Sequence, residues 1–144
     1  MRNKPIHFLL VEADDDHAEL ITLTLLATDG VPKTVDRVCD GEQALTYLKR
    51  DIPHGQHPRP NVVLLDLNLP GVNGHSVLAT IKADPELRNI PVVVLTTSQE
   101  PEDKVKAYSS YANSYLVKPT DSGEFSRMVK DVAVYWSVWN QQLD

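Results

Sequence analysis

Hydrophobic and polar positions follow two rhythms along this chain. Ile6 to Val11, Val62 to Leu65 and Pro91 to Thr96 are nearly unbroken apolar runs. Val62 to Leu65 shows no alternation, the pattern of a strand buried on both faces. Thr34 to Val38 and Ser114 to Val117 read as two further short strands. Amphipathic stretches fill the gaps. Asp16 to Thr28 predicts a helix, with Gly30 as its terminating glycine. Asp40, followed three residues later by Gln43, resembles a capping box opening a helix through Arg50. Gly74 to Ala83, a weaker Glu102 to Tyr111 and a long Ser122 to Asn140 complete the set. Asp51 to Pro60 contains three prolines and predicts a loop, longer than the roughly 2–6 residues usual in α/β connections. Strand and helix thus alternate five times. That order predicts an α/β fold, a doubly wound five-stranded parallel sheet in three layers.

Length and charge narrow the range of functions. A chain of 144 residues fits a single domain spanning 1–144, able to bury roughly 68–70% of its unfolded surface. Its one cysteine, Cys39, excludes an internal disulfide and suits a reducing compartment. No apolar run approaches the ~18 residues of a membrane span, and Met1 to Pro5 lacks a signal-peptide core, so a cytoplasmic protein away from membranes is expected. A net charge of −6 argues against a nucleic-acid surface and for action through protein contacts.

The chemistry gathers at the ends of the strands. The third apolar run stops at Asp66, and Pro70-Gly71 then forces a turn. The first strand ends at Glu12, the fourth at Thr96 and the fifth at Lys118-Pro119. In a parallel sheet these carboxyl ends share one edge, where ligands bind. Taken singly, Thr96 would be an ordinary strand-end threonine, Lys118 a solvated lysine, and Asp15 and Asp16 helix-dipole acids. An unpaired buried carboxylate at 66 is harder to dismiss, because its desolvation is costly. Together, carboxylates, a cation and a hydroxyl suit an acyl phosphate on Asp66: Mg²⁺ would offset charge, while Lys118 and Thr96 would hold phosphoryl oxygens.

With these residues in place, the chain resembles response-regulator receiver domains, a flavodoxin-like (βα)5 family, over nearly its whole length. The resemblance implies Asp66 as phosphoacceptor and the Asn68 backbone carbonyl as a Mg²⁺ ligand beside Glu12 and Asp66. It further implies Thr96 as switch hydroxyl, Tyr115 as switch aromatic and Lys118 as the phosphoryl-binding lysine. On phosphorylation Thr96 would move toward the new group and Tyr115 would turn into the space it leaves. Leu9 to Glu12, the loop 51–60, Leu65 to Gly71, Ile90 to Ser98 and the Trp-bearing tail resemble more narrowly the stand-alone receivers of cyanobacterial phytochromes. That likeness implies a phytochrome-type histidine kinase as partner, and a homodimer through the fourth helix, fifth strand and last helix.

The pattern breaks at one position. Where receivers carry a second, metal-ligating acid after Glu12, this chain has Ala13. Asp14 or Asp15 could substitute, Mg²⁺ could bind through Glu12 and Asp66 with an added water, or the site could be metal-poor; weakened rather than abolished binding is expected. In the last helix, Phe125, Met128, Val129, Val132, Trp136 and Trp139 share a core-facing stripe. Val134 and Val138 fall on the opposite side and, with Tyr135, nominate a dimer contact. His54 and His57 form an unpromising H-x-x-H pair in the loop, while His7, His17 and His75 show no constellation. Two competing functions stay open. One is a phosphorylation-independent pseudo-receiver, suggested by Ala13. The other is a dehalogenase-type phosphatase, although Asn68 replaces its second acid and no cap segment is present; the expectation is that the chain is not an enzyme.

Overall fold

The computed structural model describes residues 4–49 and 59–142. Its elements run β1 (Ile6–Val11), α1 (Asp15–Ala27), β2 (Lys33–Val38), α2 (Gly41–Leu48), β3 (Val62–Leu65), α3 (Gly74–Ala83), β4 (Val92–Thr96), α4 (Pro101–Ser109), β5 (Ser114–Val117) and α5 (Ser122–Val134), followed by a π-helical turn over Tyr135–Trp139. All strands pair in parallel, in the order β2-β1-β3-β4-β5. β1 and β3 are buried at every position, which explains why their sequences are apolar except for His7, whose ring is hydrogen-bonded.

Side chains alternate across the sheet to build two cores. Leu9, Val11, Val63, Leu65 and Val94 pack with Ala44, Tyr47, Leu78 and Ile81 on one face, under α2, α3 and α4. Phe8, Leu10, Leu64 and Val93 pack with Ile21, Leu25, Phe125 and Val129 on the other, under α1 and α5. The result is the expected three-layer, flavodoxin-like sheet. The chain leaves β1 toward β2 on one side and reaches β3 on the other. This switch point opens a crevice beyond the carboxyl ends of β1 and β3.

Short polar side chains set the helix starts. Asp14, Asp40, Asn73 and Asp121 each accept a backbone N–H from three residues ahead. At α2 the Gln43 N–H donates to the cap Asp40 at 2.8 Å as expected, but the return bond reaches one residue further back, with Gln43 Oε1 accepting the Cys39 N–H at 2.9 Å. α2 ends at Leu48, before Arg50, which lies outside the described residues together with His54 and His57. α1 ends at Ala27 with Thr28 as its cap, so Gly30 (φ 127°) serves the following turn rather than the helix end. Two glycines after β3 are demanded by geometry. Gly71 sits at φ 68°, and a Cβ on Gly74 would stand 2.5 Å from the Asp66 carbonyl oxygen.

The single long final helix requires correction. α-Helical bonding gives way after Val134 to a wider turn, closed by the Asn140 N–H on the Tyr135 carbonyl at 2.7 Å. Ser137 Oγ, buried, donates back to the Ala133 carbonyl at 2.5 Å, a side-chain bond of the kind that bends helices. The wider turn advances each residue by a smaller angle, so the core stripe lapses. Met128 and Trp136 still pack on the core, but Trp139 swings out to 69% exposure.

Candidate functional site

Three strand ends supply one compact ionic cluster. Glu12 follows β1, Asp66 follows β3 and Lys118 follows β5, and all three are buried. Lys118 Nζ donates to Glu12 Oε1 at 2.6 Å and to Asp66 Oδ2 at 2.9 Å. Its own backbone N–H is held by the Thr96 carbonyl at 2.7 Å, which fixes the chain just past β5 against the end of β4. The second Asp66 oxygen, Oδ1, accepts the backbone N–H of Asn68 at 3.0 Å. One ammonium therefore serves two buried carboxylates. Glu12 shows the residual imbalance. Desolvation holds its pKa above the ordinary 4.5, against the pull of the Lys118 bond, and the Asp66 charge adds to the rise.

Thr96 is fully buried at the end of the neighbouring β4, where its Oγ1 accepts a long 3.4 Å contact from Ser98 N–H. Tyr115 is half-buried on β5, and its hydroxyl donates to the Ser98 carbonyl at 3.0 Å. Burial raises the Tyr115 pKa above the ordinary 10.0, partly offset by the side chain of Ser98. The same Ser98 ties the loop after β4 to two helices. Its hydroxyl donates to Asp103 Oδ2 on α4 at 2.5 Å, and Asp103 Oδ1 meets His75 Nε2 on α3 at 2.9 Å. These two bonds hold the Asp103 carboxylate below its ordinary pKa of 3.8.

The cluster contains a residue that sequence reasoning passed over. His17 Nδ1 lies 2.9 Å from Lys118 Nζ, across 101 positions of sequence, so His17 does belong to a constellation. The available signal was its place in the first turn of α1, directly above the end of β1. His75 and His7 are also partnered. His7 is buried near the start of β1, between Thr34 and Tyr47.

The donor set tests the proposed metal. Glu12 and Asp66 offer hard carboxylate oxygens on adjacent strand ends, and the Asn68 carbonyl follows on the β3–α3 turn, a set that fits a cation content with one or two carboxylates and several waters. Among the described residues no three His, Cys, Asp or Glu side chains group to hold a metal. Asp14 does not supply the missing acid in this arrangement: its exposed carboxylate caps α1 by accepting the His17 N–H at 3.0 Å. Asp15 pairs outward with Arg37 at 2.9 Å.

The nominated dimer residues do not share one face. Tyr135 lines a groove with Ser114, Leu116, Met128 and Trp136, beside β5. Val138 instead lies near Gly30, 3.6 Å from where a Cβ would stand. Val134, the last residue of α5, is half-buried.

Comparison with known proteins agrees with this geometry. Residues 8–130 match the response regulator receiver domain. The chain is 43% identical over 137 residues to the probable methanogenesis regulatory protein FilR2 of Methanothrix harundinacea, covering 95% of this chain and 87% of that protein. It is 37% identical over 134 residues to the response regulator Rcp1 of Synechocystis, covering 93% and 90%. The Mn²⁺-bound form of Rcp1 superposes with a TM-score of 0.91, over 97% of this chain and all of that one. The phosphorylated cyanobacterial phytochrome response regulator RcpA superposes with a TM-score of 0.92 at 35% identity, over 98% of this chain and 100% of that chain. Fold, site and ancestry point the same way: this chain belongs to the response regulator receiver family.

Proposed function

We propose that this chain is a single-domain response regulator that receives a phosphoryl group from a phytochrome-type histidine kinase on Asp66, in the cytoplasm. The observation carrying this reading is the Lys118 ammonium bridging Glu12 and Asp66 at the switch point of the sheet. An Asp66 oxygen would attack the phosphorus of a phosphohistidine; the new P–O bond forms as the P–N bond breaks, and the imidazole leaves. Phosphorylation adds negative charge and acceptor oxygens, which Lys118 and the Thr96 hydroxyl would receive. Mg²⁺, held by Glu12, Asp66 and the Asn68 carbonyl, would supply charge neutralisation of the transferred group.

The switch then follows from Thr96 and Tyr115. Drawing Thr96 Oγ1 toward the phosphoryl group releases Ser98 N–H, and Tyr115 gives up the Ser98 carbonyl as the loop moves. The affected surface carries exposed Val105 and Tyr108 on α4, with Tyr111 just beyond it and Tyr135 after α5. These apolar groups support a homodimer contact through α4, β5 and α5, centred on Tyr135 rather than Val138. Sedimentation should show association that phosphorylation strengthens, and a monomer in both states would remove the dimer.

The kinase is chosen on the likeness to Rcp1 and RcpA, although FilR2 has the higher sequence identity. Phosphotransfer from a phytochrome-type kinase to the wild-type chain, and none to Asp66→Asn, is the expected result. Labelling of Asp66→Asn would refute the phosphoacceptor. No labelling of either chain by any phosphodonor would favour the pseudo-receiver that Ala13 suggests.

A further inference from the structure

An ammonium group has three N–H bonds and no acceptor. Lys118 commits all three: one to Glu12 Oε1 at 2.6 Å, one to Asp66 Oδ2 at 2.9 Å and one to His17 Nδ1 at 2.9 Å. Because lysine can only donate, Nδ1 must present its lone pair, which leaves the ring proton on Nε2. The imidazole is itself held in place from two sides. The Asp14 carboxylate accepts the His17 backbone N–H and so fixes where α1 begins. Buried Phe125 on α5 meets the ring edge-on, with centroids 5.4 Å apart and planes at 76°.

We infer that His17 is a positioning residue for phosphoryl transfer: its imidazole anchors the third N–H of Lys118 and thereby aims the other two at Glu12 and at the acceptor carboxylate of Asp66. The inference rests on the phosphoacceptor reading above and deepens it. When Asp66 becomes an acyl phosphate, its carboxyl oxygens lose charge and become poorer acceptors, so the N–H directed at Asp66 is the one that passes to a phosphoryl oxygen. Glu12 and His17 keep the other two, and the ammonium turns little. Without an acceptor at 17, the third N–H must seek Glu12, Asp66 or water. The ammonium then settles against the carboxylates instead of toward the incoming group. Misplacing a charged donor in this way weakens it most in the transition state, where charge is being redistributed.

Acetyl phosphate with Mg²⁺ gives a direct test, with intact mass as the readout. The new bond joins an Asp66 oxygen to phosphorus, the donor's P–O bond breaks, and acetate leaves with the electron pair. His17→Leu and His17→Asn have nearly the same shape, but only Asn places an acceptor near the position of Nδ1. The saturated rate constant of His17→Leu should fall about tenfold with little change in half-saturation, as for loss of one hydrogen bond to a charged group, while His17→Asn stays within about threefold of wild type. Thermal melting of both variants reports any purely structural cost. An unimpaired His17→Leu, or an Asn variant as slow as Leu, overturns the inference while leaving Asp66 as acceptor. A wild-type chain that takes no phosphate overturns both. Should His17→Leu not fold, ¹⁵N spectra of the wild-type imidazole decide: Nε2–H with a bare Nδ1 is expected, and the opposite tautomer refutes the anchor.

Discussion

Replacing Lys118 with Met keeps most of the side-chain volume and removes the one charge that Glu12 and Asp66 share. Both carboxylates are nearly inaccessible, at 2% and 6% exposure, so neither recovers its hydration. Breaking a buried ion pair by deleting one partner costs about 3–5 kcal/mol. At roughly 3 °C per kcal/mol for a domain of this size, the melting temperature should drop by about 10 °C at pH 7. The pH dependence identifies the cause. Burial already raises the Glu12 pKa above 4.5 despite Lys118, so the variant raises it further. A carboxylate with a raised folded pKa binds more protons folded than unfolded, so stability increases as pH falls through that folded value toward the unfolded one. The deficit of Lys118→Met should therefore shrink between pH 7 and 5, by up to about 1.4 kcal/mol per pH unit for one proton. Adding Glu12→Gln should restore part of the loss and flatten the slope. Urea unfolding of wild type, both single variants and the double variant across this range measures all of these effects. A deficit below about 1 kcal/mol at pH 7, or one that stays constant down to pH 5, would show that the ammonium does not offset two buried charges.

Other positions give independent checks. Ala13→Asp adds a third carboxylate beside Glu12 and should tighten Mg²⁺ binding roughly tenfold, read by metal titration; unchanged affinity would show that position 13 does not face the cation. Tyr111, at φ 69°, is a non-glycine residue in the left-handed region just past α4. Tyr111→Gly should therefore raise stability by about 1 kcal/mol in denaturant unfolding, and a loss would mean that the exposed ring makes contacts worth more than the strain. Asp14 and Asp103 both have folded pKa values lowered from 3.8, chiefly by the His17 N–H and the Ser98 hydroxyl respectively. Their contribution is complete above pH 3.8 and is lost as pH falls through the lower folded values; Asp103→Asn should flatten the acid limb of the stability curve there.

The sheet was readable from sequence because β1, β3 and β4 are buried on both faces, which leaves them apolar apart from His7 and Thr96. The site was readable for a related reason: a charge that interrupts such a run at its carboxyl end, as Asp66 does, has few innocuous explanations. Lys118 was harder, because nothing local distinguishes a buried lysine from a solvated one; its partners lie 52 and 106 positions away. His17 escaped for the same reason. Its significance depends on where the first turn of α1 sits above the sheet, a matter of tertiary packing. The end of α5 is not legible in the sequence, because helical periodicity carries no sign of the Ser137 bond that accompanies the π turn. The Ser98–Asp103–His75 chain joins three elements and likewise leaves no sequence pattern.

The central claim is that Asp66 carries the phosphoryl group. Borohydride reduction of the phosphorylated chain converts an aspartyl phosphate to homoserine, and peptide mapping then locates it. The account predicts that conversion at position 66 and nowhere else, absent when the phosphodonor is withheld. Homoserine at another aspartate, or a phosphoryl group that maps to a histidine or hydroxyl, would contradict it.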